Sequence, residues 1–521
     1  MTQTVIQDGP IPKSIWIGFL AMALGNFMAI LDTQIVASSL REIQAGVSAS
    51  ADEIGWVQSA YLIAEVISIP LTGYLGRALS IRRLFVAAGA LFVLTSILCA
   101  TALSLQQLIV YRALQGVAGG MLMPSTMAAI FLIFPRSRQV IPGLLVGLVS
   151  TTAPSIGPTL GGMITENFGW RWMFLVNIPP GLVMCYLVWV YSPLRRSEPE
   201  LLGKIDWTGV TALALWLGSF EYILHEGPKL GWLTDPYLTL WLIASIAASI
   251  VFVWRSLTVR VPVVQLAAFA NRNFAAGSLL SFVIGIGLYG PIYLQPMFLA
   301  SIRGLNPEQI GHVMFAQGAA MFVSAPVVNR FVRLFDLRLI LVVGVLIISA
   351  SCFWQAAVIT PQAGLVEFLG PQALRGLGFI CSFMPLTQLA LGTLTPHEVQ
   401  NSSGLFNLTR NLGGALGIAL ITTSYNHSLA SHIASIAASL APGDPRVDMI
   451  LQQGRDQALS QGGADPDSFA LMRLIQTVDQ QAMIATFQDL FIWLGVIFLC
   501  TSLLVMLMDK PPPMTAPPAD H

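Results

Sequence analysis

Arg112-Ala-Leu-Gln115-Gly116 returns 260 residues later as Gln372-Ala-Leu-Arg375-Gly376. A second set keeps nearly the same step. Pro70, Arg77 and Arg82 reappear with identical spacing as Pro326, Arg333 and Arg338, 256 residues on. Chance could produce either match alone. Two matches at almost one offset, in matching apolar stretches, mark an internal duplication.

The flanking sequence sets the environment of that duplication. Of 521 residues, 55% are hydrophobic and 10% are charged, whereas a soluble domain carries about 25% charged residues. The apolar residues come in blocks, and a bilayer crossing needs about 20 of them. Fourteen candidates lie near 15–40, 54–76, 84–102, 106–132, 139–163, 173–192, 207–225, 236–255, 274–299, 308–331, 338–359, 366–392, 399–425 and 486–508. Only helices and closed barrels satisfy the backbone in lipid. These stretches are too long and too uniformly apolar for barrel strands, so the expected fold class is an all-α integral membrane protein. The first twelve residues have no basic n-region or cleavage site, so the first stretch reads as a retained span. Zero net charge gives no electrostatic case for nucleic acid. Cys99, Cys185, Cys352, Cys381 and Cys500 all fall in apolar segments and read as small hydrophobes without a disulfide framework.

Basic residues orient the spans. Lys13, Arg77, Arg82, Arg83, Arg136, Arg138, Arg195, Arg196, Lys204, Arg255, Arg260, Arg272, Arg330, Arg333, Arg338 and Lys510 recur at every second connection, and the intervening connections are poorer in base. The richer set is expected in the cytoplasm, with both termini there and the protein in the inner (cytoplasmic) membrane. The long polar connection 426–485 then lies outside, read first as a solvated loop with amphipathic helices conceivable near 428–440 and 469–485. The Pro-rich tail after Lys510 reads as disordered.

Six helices with their connections need about 180–200 residues, so an offset near 256–260 leaves room for two more spans. The expected organisation is a cytoplasmic N-terminus at 1–14, a six-helix bundle at 15–192 and an inserted two-helix segment at 193–272. A second six-helix bundle follows at 273–508, with its tail at 509–521. Paired six-helix bundles that rock about a central site are a secondary-transporter architecture.

Several further runs carry a resemblance. They are Leu31-Asp32-Thr33-Gln34-Ile35-Val36 in the first span, Arg112-x-x-Gln115-Gly116 in the fourth and Ala153-Pro154-Ser155-Ile156-Gly157-Pro158-Thr159-Leu160-Gly161-Gly162 in the fifth. Trp170-Arg171-Trp172-Met173-Phe174-Leu175-Val176-Asn177-Ile178-Pro179-Pro180-Gly181 follows. From about Ile15 to Met508 the chain resembles the major facilitator superfamily, specifically its fourteen-span drug:proton antiporters of the EmrB type. The resemblance implies export of lipophilic small molecules against an inward flow of protons. It also implies a periplasmic membrane-fusion adaptor and an outer-membrane channel as partners where the cell has two membranes. One departure stands in the loop after the second span. Gly73 and Leu75 fit the family's pattern, but Arg77 replaces the usual Asp and Ser80 the usual Gly, so the cytoplasmic gate of Gly73, Arg77 and Arg82 lacks its usual acidic member.

Ionisable groups inside spans are costly, about 2.5–3.5 kcal/mol on insertion scales, and are functional candidates by default. Asp32, Glu65, Arg112, Glu221, Arg375 and Arg410 qualify, with Glu367 nearer an edge. A buried carboxyl can hold and release a proton near neutral pH, which makes Asp32 the expected proton carrier. The resemblance makes Arg112 its neighbour, and a permanent structural ion pair is the alternative. Glu65 follows Gln58 by seven residues, two helical turns on one face, and suits a cationic substrate or a second proton. Glu221 falls in the inserted pair, expected outside the cavity. Arg375 stands where the first repeat has Gln115. Arg410 begins Arg-Asn-Leu-Gly-Gly, where hydrogen bonding to carbonyls is expected, with an anionic substrate group as the alternative. In the antiporter motif, Pro154, Gly157, Pro158, Gly161 and Gly162 are expected to break and narrow the fifth helix and to seal it on a neighbour. Phe27, Gln58, Tyr61, Met123, Tyr289, Tyr293 and Gln295, with Arg375 and Arg410, are candidates to line an adaptable cavity.

No Gly-x4-Gly-Lys-Ser/Thr loop is present, so no cofactor is expected and drive comes from the proton gradient. No His-Glu-x-x-His occurs, and His427 and His432 lack a third ligand, so neither a metal site nor an intramembrane enzyme is expected. A dedicated carrier of one metabolite on the same fold is the remaining alternative.

Overall fold

Seventeen helices account for nearly all of the described chain, and no strand occurs among the described residues. The structure is a computed structural model, which describes residues 11–50, 53–135, 138–440, 445–460 and 465–509. The termini assigned above to 1–14 and 509–521 fall mostly outside the described residues. The first half comprises α1 (Lys13–Ser38), the short α2 (Leu40–Val47), α3 (Trp56–Leu79), α4 (Ile81–Ala100), α5 (Leu105–Ile133), α6 (Val140–Phe168), the single turn α7 (Trp172–Leu175) and α8 (Ile178–Tyr191). Next come α9 (Trp207–Leu230) and α10 (Pro236–Thr258). The second half holds α11 (Arg272–Ser301), α12 (Pro307–Leu334), α13 (Leu337–Val358), α14 (Leu365–Leu391), α15 (Pro396–Ser439), α16 (Pro445–Ser460) and α17 (Pro466–Leu504).

Polar side chains stop and start these apolar helices. Asn306 and Gln309 form a capping box at α12, Asp235 accepts from the amides of Tyr237 and Leu238 at α10, and Asn271 caps α11. Ser80 starts α4 differently. Its hydroxyl accepts from the Arg83 amide at 3.3 Å, but its backbone sits at φ +85°, ψ 145°, a region that favours glycine. This is the position where Ser stands in place of the family's glycine.

The duplication is a packing identity. In the first half α1 packs on α6 and α8, α3 on α5, and α4 on α5 and α8. In the second half α11 packs on α15 and α17, α12 on α14, and α13 on α14 and α17. The halves meet through α3 on α15 and α5 on α15, and equivalently through α12 on α6 and α14 on α6. The arrangement is two six-helix bundles with two inserted helices. Eleven helices meet strict length and hydropathy limits for a crossing. The remaining crossings, α6, α9 and α15, are long enough but carry polar groups or undescribed residues.

Three readings change. Helix α6 is continuous through Pro154 and Pro158 and is not broken; α1 and α12 clasp it from two sides, and a proline is tolerated in a span whose neighbours support it. The connection 426–485 is largely helical. At 44 residues α15 is about 66 Å long, roughly twice the hydrocarbon thickness. It therefore runs beyond the bilayer alongside the 39-residue α17, with α16 packed on α17. Arg455 to Asp467 at 2.6 Å, Arg473 to Gln457 and His432 to Asp489 at 2.8 Å tie this hairpin together. Third, the inserted helices are not equivalent. Helix α10 packs on α9, whereas α9 packs on α3 of the first half and α15 of the second. Their bases are joined by Arg255, whose Nη2 and Nε donate to the two oxygens of Asp206 at 2.7 and 3.2 Å.

Candidate functional site

Asp32 lies in the last two turns of α1, with no solvent exposure. A bare carboxylate there would be very costly, and the first half supplies it with donors from α5 and from the turn before α8. Arg112 Nη1 on α5 donates to Oδ2 at 2.5 Å. Asn177 Nδ2, just before α8, donates to Oδ1 at 2.7 Å, and Gln115 Nε2 donates to Oδ1 at 3.3 Å. Arg112 is equally buried. It also donates to the Val57 carbonyl at 3.2 Å and to Gln115 Oε1 at 2.7 Å. Its guanidinium carbon lies 4.3 Å from the Tyr61 ring centre, a cation–π contact. Gln115 in turn donates to Ser96 at 2.8 Å. Three of the four runs that carry the resemblance thus converge on one carboxylate. Asn177, Ser96 and the Val57 carbonyl were not singled out in the sequence. Asn177 sits within the quoted Trp170–Gly181 run, but no local pattern ties it to Asp32.

The second half repeats the constellation with its charge rearranged. Gln372, at the position of Arg112, donates to Gln295 on α11 at 2.7 Å. Arg375, at the position of Gln115, donates to Gln355 on α13 at 3.0 Å and lies 5.5 Å from the Phe491 ring centre. Arg375 is fully buried. Gln295 and Arg375 therefore belong to the interior of the second half, not to an open cavity wall.

Between the halves stands a different group of residues. Arg410 on α15 donates to Asn407 Oδ1 at 2.7 Å and contacts Met123 Sδ on α5 at 3.0 Å. Its guanidinium carbon lies 5.1 Å from the Phe383 ring centre. These partners are side chains of both halves, which replaces the expectation of backbone carbonyls. The Glu65 carboxylate on α3 has no hydrogen-bond partner among the described residues, yet it is within electrostatic reach of Arg410, Arg112 and Asp32. Tyr289 on α11 packs against Gly414 and is within reach of Arg410 and Glu65. Glu65, Met123, Tyr289 and Arg410 are thus gathered at the bundle interface. Gln58 lies two turns before Glu65, its Oε1 buried without a partner. Phe27 packs with the Leu31, Trp170 and Phe174 cluster, and Tyr293 is exposed.

Gly157 lets α6 lie directly against α1. A Cβ there would lie 2.3 Å from Cβ of Gln34, within the Asp32 motif of α1. Gly161 and Gly162 are buried in the same helix. Gly73, Arg77 and Arg82 do not bridge the halves. The Arg77 carbonyl accepts from the Glu198 amide at 2.8 Å, and Arg82 donates to the Trp189 carbonyl at 3.1 Å while stacking on its ring. These arginines fasten the strap leading to α9. Among the described residues no cluster of metal-ligating side chains occurs.

The Major Facilitator Superfamily pattern matches residues 22–418. The chain belongs to the major facilitator superfamily. Within that superfamily it is 37% identical to the colistin resistance protein EmrB of Acinetobacter baumannii, over 96% of this chain and 97% of the relative. It is 28% identical to the multidrug export protein EmrB of Escherichia coli, over 95% of each. It is 27% identical to the fatty acid resistance protein FarB of Neisseria gonorrhoeae, over 95% of this chain and 96% of that one. Two solved structures share the superfamily fold. The human organic anion transporter MFSD10 superposes with a TM-score of 0.62 at 12% identity, covering 95% of this chain and 100% of that one. The proton:xylose symporter XylE superposes with 0.58 at 15% identity, covering 94% and 95%.

Proposed function

We propose that the protein is a proton-coupled antiporter that exports hydrophobic or amphipathic compounds, with Asp32 as its main proton carrier. The observation that carries this reading is the fully buried Asp32, held by Arg112 and Gln115 from α5 and by Asn177 from the turn before α8. Protonating Asp32 removes the charge that balances Arg112. The three donors then lose their acceptor, and the packing of α1, α5 and α8 acquires a second preferred arrangement. Only a difference in affinity between two states moves an equilibrium, and this change supplies it for the proton.

The substrate is expected between the halves, where Glu65 and Arg410 offer opposite charges beside Met123, Tyr289 and Phe383. A polarizable, aromatic wall with both signs of charge accepts varied amphiphiles. The relatives' names, which speak of colistin, drugs and fatty acids, fit such breadth. The equivalent contacts of α3 with α15 and of α12 with α6 provide a symmetric surface for rocking. The excess of basic residues at one end supports a cytoplasmic assignment of that end and of both termini. The α15–α17 hairpin at the opposite end is the candidate contact for a periplasmic adaptor feeding an outer-membrane channel.

The test uses energised inside-out vesicles with an internal pH dye. Ethidium, tetraphenylphosphonium and taurocholate are added to wild type and Asp32→Asn. Dissipation of the gradient by at least one compound, reduced about 100-fold in the variant, supports the reading. Movement of a radiolabelled compound without proton release, equal in both proteins, sinks it in favour of a facilitator for a single metabolite.

A further inference from the structure

Helix α9 concentrates ionisable groups in its second half, where Glu221, His225, Glu226 and Lys229 follow one another. Glu221 and His225 are four residues apart and so share one face, a turn apart. Packing shows where that face looks. A Cβ at Gly218 would lie 3.4 Å from Ile67 and 3.6 Å from Ile63. The Tyr222 ring stacks on Trp56, with centroids 5.6 Å apart. A Cβ at Gly55 would lie 3.7 Å from both His225 Nε2 and Lys229 Nζ. These contacts descend α9 as they climb α3, so Glu221 stands level with the first turns of α3, beside the turn that leads to Glu65.

Glu221 is 7% exposed, and its Oε2 is buried without a hydrogen-bond partner. The same holds for Gln58 Oε1 on the facing helix, while His225 Nε2 has no hydrogen bond but lies 3.8 Å from the Glu226 carboxylate. Buried polar atoms are satisfied as a rule, so two orphans facing each other across one helix interface, with an imidazole a turn away, point to something that visits them. Glu221 and Glu65 lie within electrostatic reach of each other, on the packed helices α9 and α3. Glu65 continues the series inward to Asp32 and Arg112 on one side and Arg410 on the other. The groups facing the series are Gln58 and Tyr61 on α3, Arg112 on α5, Asp32 on α1, Tyr289 on α11 and Arg410 on α15. On α9 itself they are Tyr222, Glu226 and Lys229, with Asp235 at the start of α10 near Tyr222.

Resting on the proton-coupled reading above, we propose that the inserted helix α9 is the proton-access arm of the transporter. His225 takes up a proton at the Lys229 end of the helix, Glu221 receives it in the α3–α9 interface, and Glu65 passes it toward Asp32. Each step moves one proton from a ring nitrogen or carboxyl oxygen to the next carboxylate, through intervening water, with no change in electron count. The donor is left neutral or anionic and the acceptor becomes a neutral carboxyl, so charge enters the bundle only as the proton. This gives the insertion a task in coupling: its carboxylate sits where neither six-helix half supplies one.

The experiment uses the full chain in proteoliposomes holding an internal pH dye. Wild type, Glu221→Gln, Glu221→Asp, His225→Gln and Asp32→Asn are compared across external pH, with ethidium as the probe. Ethidium binding to each purified variant is measured by equilibrium dialysis. Expected are proton release about tenfold slower in Glu221→Gln, recovery in Glu221→Asp, and binding unchanged in both. In His225→Gln the rate optimum moves to lower pH, because uptake without the imidazole needs more free protons. The relay is overturned if Glu221→Gln keeps the wild-type rate and pH profile while Asp32→Asn is inactive; proton coupling itself then stands. It is also overturned if both Glu221 variants lose ethidium binding, which is the mark of a structural group. Absence of ethidium-driven proton movement in wild type removes the coupling reading and the relay together.

Discussion

Asn177 and Asp32 are joined at 2.7 Å across 145 positions of sequence, with the amide of one donating to Oδ1 of the other inside a fully buried cluster. The bond ties the entrance of α8 to the α1 carboxylate. A donor to a carboxylate stabilises its charged form. In Asn177→Ala that donor is lost, the carboxylate keeps only Arg112 and Gln115, and exchange is expected to slow about tenfold. Vesicle assays read this loss; an unchanged rate means the amide does not act on Asp32.

Arg112 and Asp32 form an ion pair with neither partner exposed. Removing one member of such a pair leaves the other charge uncompensated, at about 3–5 kcal/mol. Arg112→Gln is therefore expected to lower thermal stability in detergent sharply. The double variant with Asp32→Asn recovers much of the loss. Additive losses in this cycle are the result that contradicts the pair's coupling.

Gly157 faces Gln34 with no room for a methyl group. Gly157→Ala pushes α6 from α1, with an expected cost of about 1–3 kcal/mol. Because the strain falls on the segment that bears Asp32, exchange is expected to fall further than stability does. A variant with full transport would show that the seal tolerates separation.

Ser80 holds a backbone conformation suited to glycine while contributing one capping bond. Relief of strain is worth about 1 kcal/mol or more, and loss of a cap to glycine only a few tenths. Ser80→Gly should thus raise the melting temperature and leave transport unaltered. A lower melting temperature would show that the cap outweighs the strain.

Asp206 sits outside the spans, and the bidentate bond from Arg255 holds its carboxyl below the usual carboxylate range, with backbone donors of the α9 start adding to it. A depressed group contributes stability above its unfolded titration range and loses it as pH falls through the folded value. Asp206→Asn should therefore be less stable than wild type near neutral pH. The difference shrinks as the medium is acidified below the ordinary aspartate range. Melting curves across pH test this, and a gap that widens on acidification would reverse the sign.

Particular residues separate what was legible in the sequence from what was not. The limits of most spans were legible because helix length in a bilayer is set by one local quantity, the length of an apolar run. Asp32 and Arg112 were legible because a charge in that setting must find a partner, and the repeat and motifs placed each in its own span. Arg410 was visible as an ion but not by partner, since Asn407, Met123 and Phe383 reach it from α15, α5 and α14. Helix α6 was expected to break because Pro158 removes a local hydrogen bond, and packing by α1 and α12 overrode that.

By itself, the sequence determined the helical membrane class, the duplication, the two extra spans and the ionisable residues within the spans, all properties of local composition and spacing. Tertiary structure alone decided that Asn177 completes the Asp32 cluster, that Glu65 and Arg410 share the interface of the halves, and that α9 bridges them with Glu221 turned toward α3. Each of these depends on which helix faces join across long separations, and that choice is made by side-chain packing over the whole bundle, which no single stretch of chain encodes.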